Sequence, residues 1–467
     1  MERNKVLLIS PSKGLEVGKP EKPRFQVHPL SLLYLAIVLE KEGYNVKICD
    51  AYSFGFDLDH IKSQIVSFSP DIIGISAMTI LAPSAYLIAS ESKKINPSII
   101  TIMGGPHATA LPEEALIDGN IDIAILGEGE YAMLEVCNNI RNGDHDFSSV
   151  HGIVYRQKGE IKQTEVKGPV MNIDVLPFPA YHLLPRMKEY NPPPHWGKKG
   201  RFASMLTSRG CPYGCIFCSV TRVWGKHYRY RSTDNVLKEL ELLHERYKIR
   251  YISFRDSTLT LNKDRVINLC NGIIKIGLDI KWNCNARVNE IDEDILPLMK
   301  RAGCESIQYG IECGEENMLK RFKNFNKTSV RRAIVLTDKN DIKAHGYFMI
   351  GLPGESKDTI KETIEFARSL PLYSAGFTTV TPFPGSDLWD YCMQNDLILT
   401  KDWSKYDLKG SSVVKYPNFT SEEILQSQKR AFQSFYLRPR IVFHHLSKIK
   451  NFNDLYNYFI EAYINLK

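Results

Sequence analysis

Two series of short apolar strands alternating with helices, parted by a proline-rich stretch, constrain this chain more than any other feature. In the first series Lys5-Val-Leu-Leu-Ile-Ser10, Tyr44-Asn-Val-Lys-Ile-Cys-Asp50, Asp71-Ile-Ile-Gly-Ile-Ser76, Ile99-Ile-Thr-Ile-Met-Gly-Gly105 and Ile121-Asp-Ile-Ala-Ile-Leu-Gly127 read as strands. Residues 30–42 and 82–95 read as helices between them, the first stopped by Gly43, the usual left-handed residue after a helix end. Strands apolar along most of their length are buried on both faces, so helices must cover both sides of a doubly wound parallel sheet. Ligands of such sheets lie at the carboxyl ends of the strands, where strand order switches.

A second series starts at Arg201. Its expected strands are 202–208, 251–255, 280–286, 306–311, 344–350 and 376–381, with helices at 234–247 and 291–301 among those between them. Repeats of strand then helix predict a barrel-like parallel sheet that is partial rather than eightfold, with chemistry at its strand ends. Leu176-Pro-Phe-Pro-Ala-Tyr181 and Asn191-Pro-Pro-Pro-His195 cannot be regular structure and read as a linker wrapped on the surface. After about residue 400 the pattern turns helical. A chain of 467 residues is too long for one core. The expected organisation is a doubly wound domain at 1–145, a linker at 146–199, a partial barrel at 200–395 and a helical segment at 396–467.

Composition excludes several classes. The chain is 43% hydrophobic and 24% charged, within the globular range, and no run of about 18 apolar residues suggests a membrane span. The N-terminus lacks the apolar stretch and cleavage site of a signal peptide, so a cytoplasmic protein is the default. The net charge of +7 is spread among acidic residues, which argues against a nucleic-acid surface. The local exception is the basic, aromatic stretch 438–450.

Of ten cysteines, Cys49, Cys137, Cys270, Cys284, Cys304, Cys313 and Cys392 are scattered singly and read as small core residues kept reduced. The other three stand together in Ser208-Arg-Gly-Cys-Pro-Tyr-Gly-Cys-Ile-Phe-Cys218, a loop expected to leave the first barrel strand. Thiolates are soft donors that hold iron–sulfur clusters or zinc. Zinc usually takes four protein ligands, and only His227 lies near as a fourth. Three thiolates on a four-iron cluster leave one iron open to chelate an amine and a carboxylate.

This spacing, with an aromatic residue (Phe217) just before the third cysteine, resembles the signature of the radical S-adenosylmethionine (SAM) enzymes. The resemblance implies a TIM-like (β/α)6 barrel and a [4Fe–4S] cluster on Cys211, Cys215 and Cys218. It also implies reductive cleavage of SAM to a 5′-deoxyadenosyl radical, with an electron donor such as flavodoxin or ferredoxin. Ile307-Gln-Tyr-Gly-Ile-Glu-Cys-Gly314 looks like the family's strand-end element near SAM. Glu312 there reads either as a cofactor contact or as a solvated carboxylate, and Cys313 stands where the family often has Ser or Thr. Arg287 reads as a partner for the cofactor carboxylate or as half of a structural ion pair. Gly351, in Phe348-Met-Ile-Gly-Leu-Pro-Gly-Glu355, resembles the turn that packs against adenine. Asp256-Ser-Thr258 is expected to face the same cavity, in an unassigned role. Thr381-Pro-Phe-Pro-Gly-Ser386 resembles the exit of the sixth strand or is only a turn.

The first domain resembles the cobalamin-binding domains found ahead of many such barrels, through Pro29-Leu-Ser-Leu-Leu-Tyr-Leu-Ala36, Gly104-Gly-Pro-His-Ala-Thr109, Leu111-Pro-Glu-Glu-Ala115 and Gly127-Glu-Gly-Glu130. No D-x-H-x-x-G element is present, so the resemblance implies cobalamin without an axial histidine. Gly104 and Gly105 are the expected backbone cradle for its nucleotide tail, against an ordinary strand-to-helix turn. His107 is expected to shape this pocket rather than bind metal. The C-terminal segment resembles that of the anaerobic magnesium-protoporphyrin ester cyclase and hopanoid-modifying enzymes. Its stretch 438–450, with His444 and His445, rests on a membrane surface or admits a lipid-like substrate, or packs on the barrel with its charges solvated. The resulting expectation is a radical methyltransferase acting on a small-molecule or lipid-like substrate. The alternatives are an oxidative cyclase or rearrangement enzyme, and a non-catalytic iron–sulfur or zinc module.

Overall fold

A computed structural model describes residues 4–439 apart from 185–186, 194–200, 409 and 418. The tail from residue 440, with His444 and His445, and Pro194 and His195 of the proline run lie outside the described residues.

Strands β1 (Lys5–Ser10), β2 (Asn45–Asp50), β3 (Ile72–Ser76), β4 (Ile100–Gly104) and β5 (Ile123–Ile125) are parallel and stand in the order β2-β1-β3-β4-β5. Val6, Leu7, Leu8 and Ile9 are all fully buried, as a strand covered on both faces requires. Helices Leu30–Lys41 and Ala82–Ile95 lie among those that cover the faces, and Gly43 (φ 82°) follows the first of them. The doubly wound sheet is therefore as expected, with its switch in strand order beside β1.

The linker is not as expected. Strands β6 (Ile153–Gln157) and β7 (Glu160–Gln163) extend the first sheet by an antiparallel hairpin. Every β7 side chain is exposed, so no apolar alternation marks it in sequence. Its turn uses Lys158 (φ 51°) and Gly159 (φ 86°), both left-handed as a two-residue hairpin needs. The following segment does not ride on the surface. Tyr181 is buried and donates to the Ser204 carbonyl (2.8 Å) and to Glu239 (3.0 Å); Tyr190 donates to Asp50 (2.8 Å). The segment is a strap between the two sheets.

Strand β8 (Phe202–Met205) opens the second sheet. Strands β9 (Ser208–Arg209) and β10 (Arg229–Tyr230) form a separate antiparallel ribbon. Strands β11 (Tyr251–Phe254), β12 (Lys281–Ala286), β13 (Cys304–Glu312), β14 (Lys343–Ile350) and β15 (Ser374–Thr379) complete a parallel sheet in the order β15-β14-β13-β12-β11-β8. This is the expected partial barrel, with two free edges that need cover. At β8 the Ser204 N–H donates to His28 Nδ1 (3.2 Å), and the Ser204 carbonyl accepts from the Tyr181 hydroxyl. At β15 the helix Ser421–Tyr436 covers the edge. Tyr436 donates to the Ala375 carbonyl (2.7 Å) and Gln428 to the Phe377 carbonyl (2.9 Å). Among the described residues no helix is long and apolar enough to cross a membrane.

Candidate active site between the two sheets

The cysteine loop springs from the β9–β10 ribbon at the carboxyl end of β8. Gly210 (φ 84°) begins it, and a Cβ there would lie 2.0 Å from the His227 carbonyl oxygen. Only glycine fits that approach. The loop is held by Cys211 N–H to Gly225 O (3.3 Å), Cys218 N–H to Cys215 O (2.9 Å) and Leu388 N–H to Ile216 O (2.8 Å). Cys211, Cys215 and Cys218 are free thiols of intermediate exposure. Burial pushes the Cys211 and Cys218 thiols up, opposed at Cys211 by Arg287 and at Cys218 by Lys323. Soft-metal binding here must therefore release protons. Among the described residues no three His, Cys, Asp or Glu side chains converge as on a single metal ion.

Beside the thiols stand two buried cations. The Arg287 guanidinium stacks on Tyr213 (3.7 Å to the ring centre) and reaches Cys215 Sγ at 3.6 Å, while its Nε is buried without a partner. Arg287 is not half of a close ion pair: its other terminal nitrogen donates to the Lys323 carbonyl. Tyr213 in turn donates to Glu290 (2.8 Å), which also takes the hydroxyls of Thr258 and Thr260. Glu312 ends β13 at φ 72°, a left-handed conformation that costs a non-glycine residue about 1–3 kcal/mol. It is buried, not solvated, and pairs with Lys323 at 3.1 Å. Lys323 Nζ also stands 5.7 Å from the centre of the Phe217 ring. Lys323 escaped the sequence reading because nothing in its helix, Glu316–Lys323, marks one lysine among several.

Asp256 does not face the cavity. It is fully buried and accepts from the N–H groups and hydroxyls of both Thr207 and Ser208, so it braces the chain that leads into the cysteine loop. Gly351 (φ 96°) turns toward Ile424 and Val380, 3.2 Å from where its Cβ would be, and Glu355 accepts from the Gly351 and Leu352 N–H groups. Ser386 caps the short helix Asp387–Gln394.

The carboxyl ends of both sheets open on one cavity of about 510 Å³. Ser10, Asp50, Ser76, Gly104 and Gly105 line it from the first sheet, and Ser204, Leu206 and Arg255 from the second. A Cβ on Gly104 would meet nothing within 4 Å, whereas one on Gly105 (φ 94°) would lie 2.9 Å from the Ala77 carbonyl oxygen. Buried ion pairs close the wall: Arg209 to Glu128 (2.8 Å) and Glu130 (2.6 Å), and Arg229 to Glu128. The Gly127-Glu-Gly-Glu130 element thus locks the first domain to the ribbon that carries the cysteines. His107 does not shape this cavity. It is buried against Tyr86 (3.0 Å to the hydroxyl) and Trp403, and so pins residues 402–406 onto the first domain.

His28, stacked on Tyr190 at 4.3 Å between ring centres, is held down to about 3 by complete burial, and His107 to about 4 by burial. Both are neutral in the folded chain. As pH falls below about 6.5 the unfolded chain takes up protons that the native one refuses, so stability present above that pH is lost. The limiting slope is about 1.4 kcal/mol per pH unit for each histidine. Denaturant unfolding between pH 7 and 5 should show it, with a shallower slope for His28→Gln; an unchanged slope in that variant would remove His28 from the account.

Comparison with known proteins adds the class. The family described as B12 binding domain matches residues 21–137, and the radical SAM superfamily matches residues 205–367. An uncharacterized methyltransferase of Pyrococcus horikoshii is 36% identical over 416 residues, covering 89% of each chain. The anaerobic magnesium-protoporphyrin IX monomethyl ester cyclase of Rubrivivax gelatinosus is 28% identical over 96% of this chain and 80% of its own. The structure of the cobalamin-dependent SAM radical enzyme OxsB, with aqua-cobalamin and SAM bound, superposes with a TM-score of 0.74 at 19% identity. It covers 99% of this chain and 71% of that one. A B12 binding domain ahead of a partial barrel with a three-cysteine loop defines a cobalamin-dependent radical SAM enzyme. This chain belongs to that family, in company with methyltransferases and cyclases that act on small molecules. The cofactors of the class are a [4Fe–4S] cluster, SAM and cobalamin.

Proposed function

We propose that this protein transfers a methyl group to an unactivated carbon of a small molecule by cobalamin-dependent radical chemistry. The observation that carries the reading is the single cavity shared by the strand ends of the two sheets, which suits a reaction in which two cofactors meet one substrate. When bound, the cluster and SAM supply one-electron cleavage of a carbon–sulfur bond, and cobalamin supplies a transferable methyl group.

The residues present fit these groups. Cys211, Cys215 and Cys218 are free, partly accessible thiols on one loop and would hold the cluster. Arg287, with a buried Nε that lacks a partner, would take the SAM carboxylate. The Glu312 carboxylate, held in place by Lys323, would accept from its amine or ribose. Phe217 would wall the cluster, and Gly351 would form the turn beside adenine. Gly104, open toward the cavity, and Gly105 would admit cobalamin close to the backbone. His28, whose Nδ1 accepts from the Ser204 N–H and so leaves the ring proton on Nε2, would not serve in that tautomer as its axial ligand. The ion pairs at Glu128 and Glu130 would hold the two domains closed and exclude water. A low-potential flavodoxin or ferredoxin would supply electrons in the cytoplasm, with no nucleic-acid partner. The stretch 438–450 is the part that would approach a membrane or a lipid-like substrate.

The cyclase relative, which spans 96% of this chain, favours a second reading: oxidative cyclisation or rearrangement without methylation. Anaerobic reconstitution with iron, sulfide and cobalamin, then incubation with methyl-labelled SAM, a reductant and a metabolite extract, separates them. Label in a small-molecule product together with 5′-deoxyadenosine is the expected result. 5′-Deoxyadenosine without labelled product supports the second reading. Intact SAM, or a colourless zinc-loaded protein, overturns both.

A further inference from the structure

Four segments meet at the Arg287 side chain. Tyr213 comes from the cysteine loop, Thr258 and Thr260 from the turn after β11, Arg287 and Glu290 from the turn after β12, and Lys323 from the end of the helix Glu316–Lys323. One carboxylate ties the first three together. Glu290 accepts from the hydroxyls of Tyr213 (2.8 Å), Thr260 (2.6 Å) and Thr258, and from the Arg287 N–H (3.3 Å). The Tyr213 ring is thereby anchored at its hydroxyl end. The Arg287 guanidinium lies on that ring, 3.7 Å from its centre, with the Phe325 ring 5.4 Å away.

Arg287 is 8% exposed, yet among the described residues no carboxylate forms an ion pair with its guanidinium. One terminal nitrogen donates to Cys215 Sγ (3.6 Å), the other to the Lys323 carbonyl, and the buried Nε has no partner. A buried charge is costly unless it is paired and hydrogen-bonded. The guanidinium therefore faces a thiol of the cluster loop on one side and keeps an N–H unused on another. An unrestrained arginine side chain samples many rotamers, and ordering it opposes binding. A ring under the guanidinium meets that cost before any ligand arrives.

We infer that Tyr213 is a positioning residue: its ring, anchored by Glu290, holds Arg287 against the Cys215 sulfur and leaves the Nε–H for the SAM carboxylate. A cation that donates to a ligating sulfur makes an added electron easier to hold, since hydrogen bonds to the sulfurs help set the potential of a cluster. The same guanidinium, oriented in advance, binds a carboxylate more tightly. Tyr213 stands between Cys211 and Cys215, so the loop that would hold the cluster also builds the contact for SAM. This inference rests on the roles proposed above for Cys215 and Arg287 and adds the residue that acts through Arg287.

The test uses the full chain reconstituted anaerobically with iron, sulfide and cobalamin. The cluster potential without SAM is read by redox titration followed by electron paramagnetic resonance, and SAM binding by calorimetry. Arg287→Gln should lower the potential and weaken SAM by at least about tenfold, as loss of a charged hydrogen-bonding partner implies. Tyr213→Leu should move both readouts the same way, SAM by about tenfold, with iron content unchanged. Tyr213→Phe keeps the ring and should stay within about threefold of the parent for SAM. Tyr213→Leu with full iron and either readout unchanged overturns the inference. So does loss of iron with cobalamin retained, because the residue then serves only the loop, and so do equal effects of Tyr213→Leu and Tyr213→Phe. If Tyr213→Leu loses cobalamin as well as iron, Glu290→Gln carries the test. Its amide still accepts from Tyr213 but lacks the second carboxylate oxygen, so SAM should weaken about threefold with iron retained; unchanged SAM affinity overturns the inference. An unaltered protein that holds the cluster but binds no SAM removes the enzymatic reading, and the potentials of the variants still test the hold on Arg287. An unaltered protein without a cluster overturns both.

Discussion

Replacing Cys211, Cys215 or Cys218 by alanine is expected to abolish both the broad iron–sulfur absorbance of the reconstituted protein and its cleavage of SAM. The three thiols are free and partly exposed on one loop, so each removal deletes a proposed ligand without opening a core cavity. The fold should survive, with unfolding free energy within about 1 kcal/mol of the parent, as for a surface substitution. That separates a lost cluster from a lost structure. Cys270 is the control: it is fully buried in the helix Lys263–Ile276, and Cys270→Ala should leave absorbance and cleavage largely intact. Retention of both properties in any of the three loop variants would rule out the cluster assignment.

The second large effect is expected at Asp256, and there the fold should suffer. Its carboxylate accepts four hydrogen bonds from Thr207 and Ser208 in a site with no solvent exposure, and Arg265 donates to Thr207 beside it. Asp256→Ala would strand two backbone N–H groups and two hydroxyls and leave Arg265 beside them in a dry site. Removing a buried charged partner of this kind costs about 3–5 kcal/mol. Asp256→Asn keeps the shape but turns an amide donor toward existing donors, so it should cost less but still measurably. Urea unfolding of the apoprotein checks the stability, and iron content after reconstitution checks the loop, since Ser208 lies three residues before Cys211. A loss under about 1 kcal/mol with full iron uptake in Asp256→Ala would overturn the bracing role.

These two sites show how unevenly the chemistry was legible. The cysteines announce themselves because thiolate spacing along a loop is a local property. Asp256 at a strand end suggested a cavity residue, since a carboxylate there is usually solvated or functional. Its true surroundings come from the turn after β8, 48 residues earlier in the chain. Glu312 and Arg287 stand out in the sequence as candidates but not in their settings, because Lys323 and Tyr213 reach them through the tertiary fold. The hairpin β6–β7 was hidden by its exposed side chains, and the strap through Tyr181 and Tyr190 by prolines that suggested a surface path.

What the sequence determined alone was whatever depends on near neighbours. Apolar runs and glycine stops specified the strands and helices, their alternation specified parallel sheets, and three thiols in eight residues specified the cofactor chemistry. What only the tertiary structure decided was how distant charges and hydroxyls meet. Glu128 with Arg209 and Arg229, separated by 81 and 101 residues, join the domains, and Ser204 and Arg255 share one cavity with Gly104. Hydrophobic periodicity is written into consecutive residues, whereas a buried polar contact depends on where two remote segments come to lie, and no local pattern carries that information.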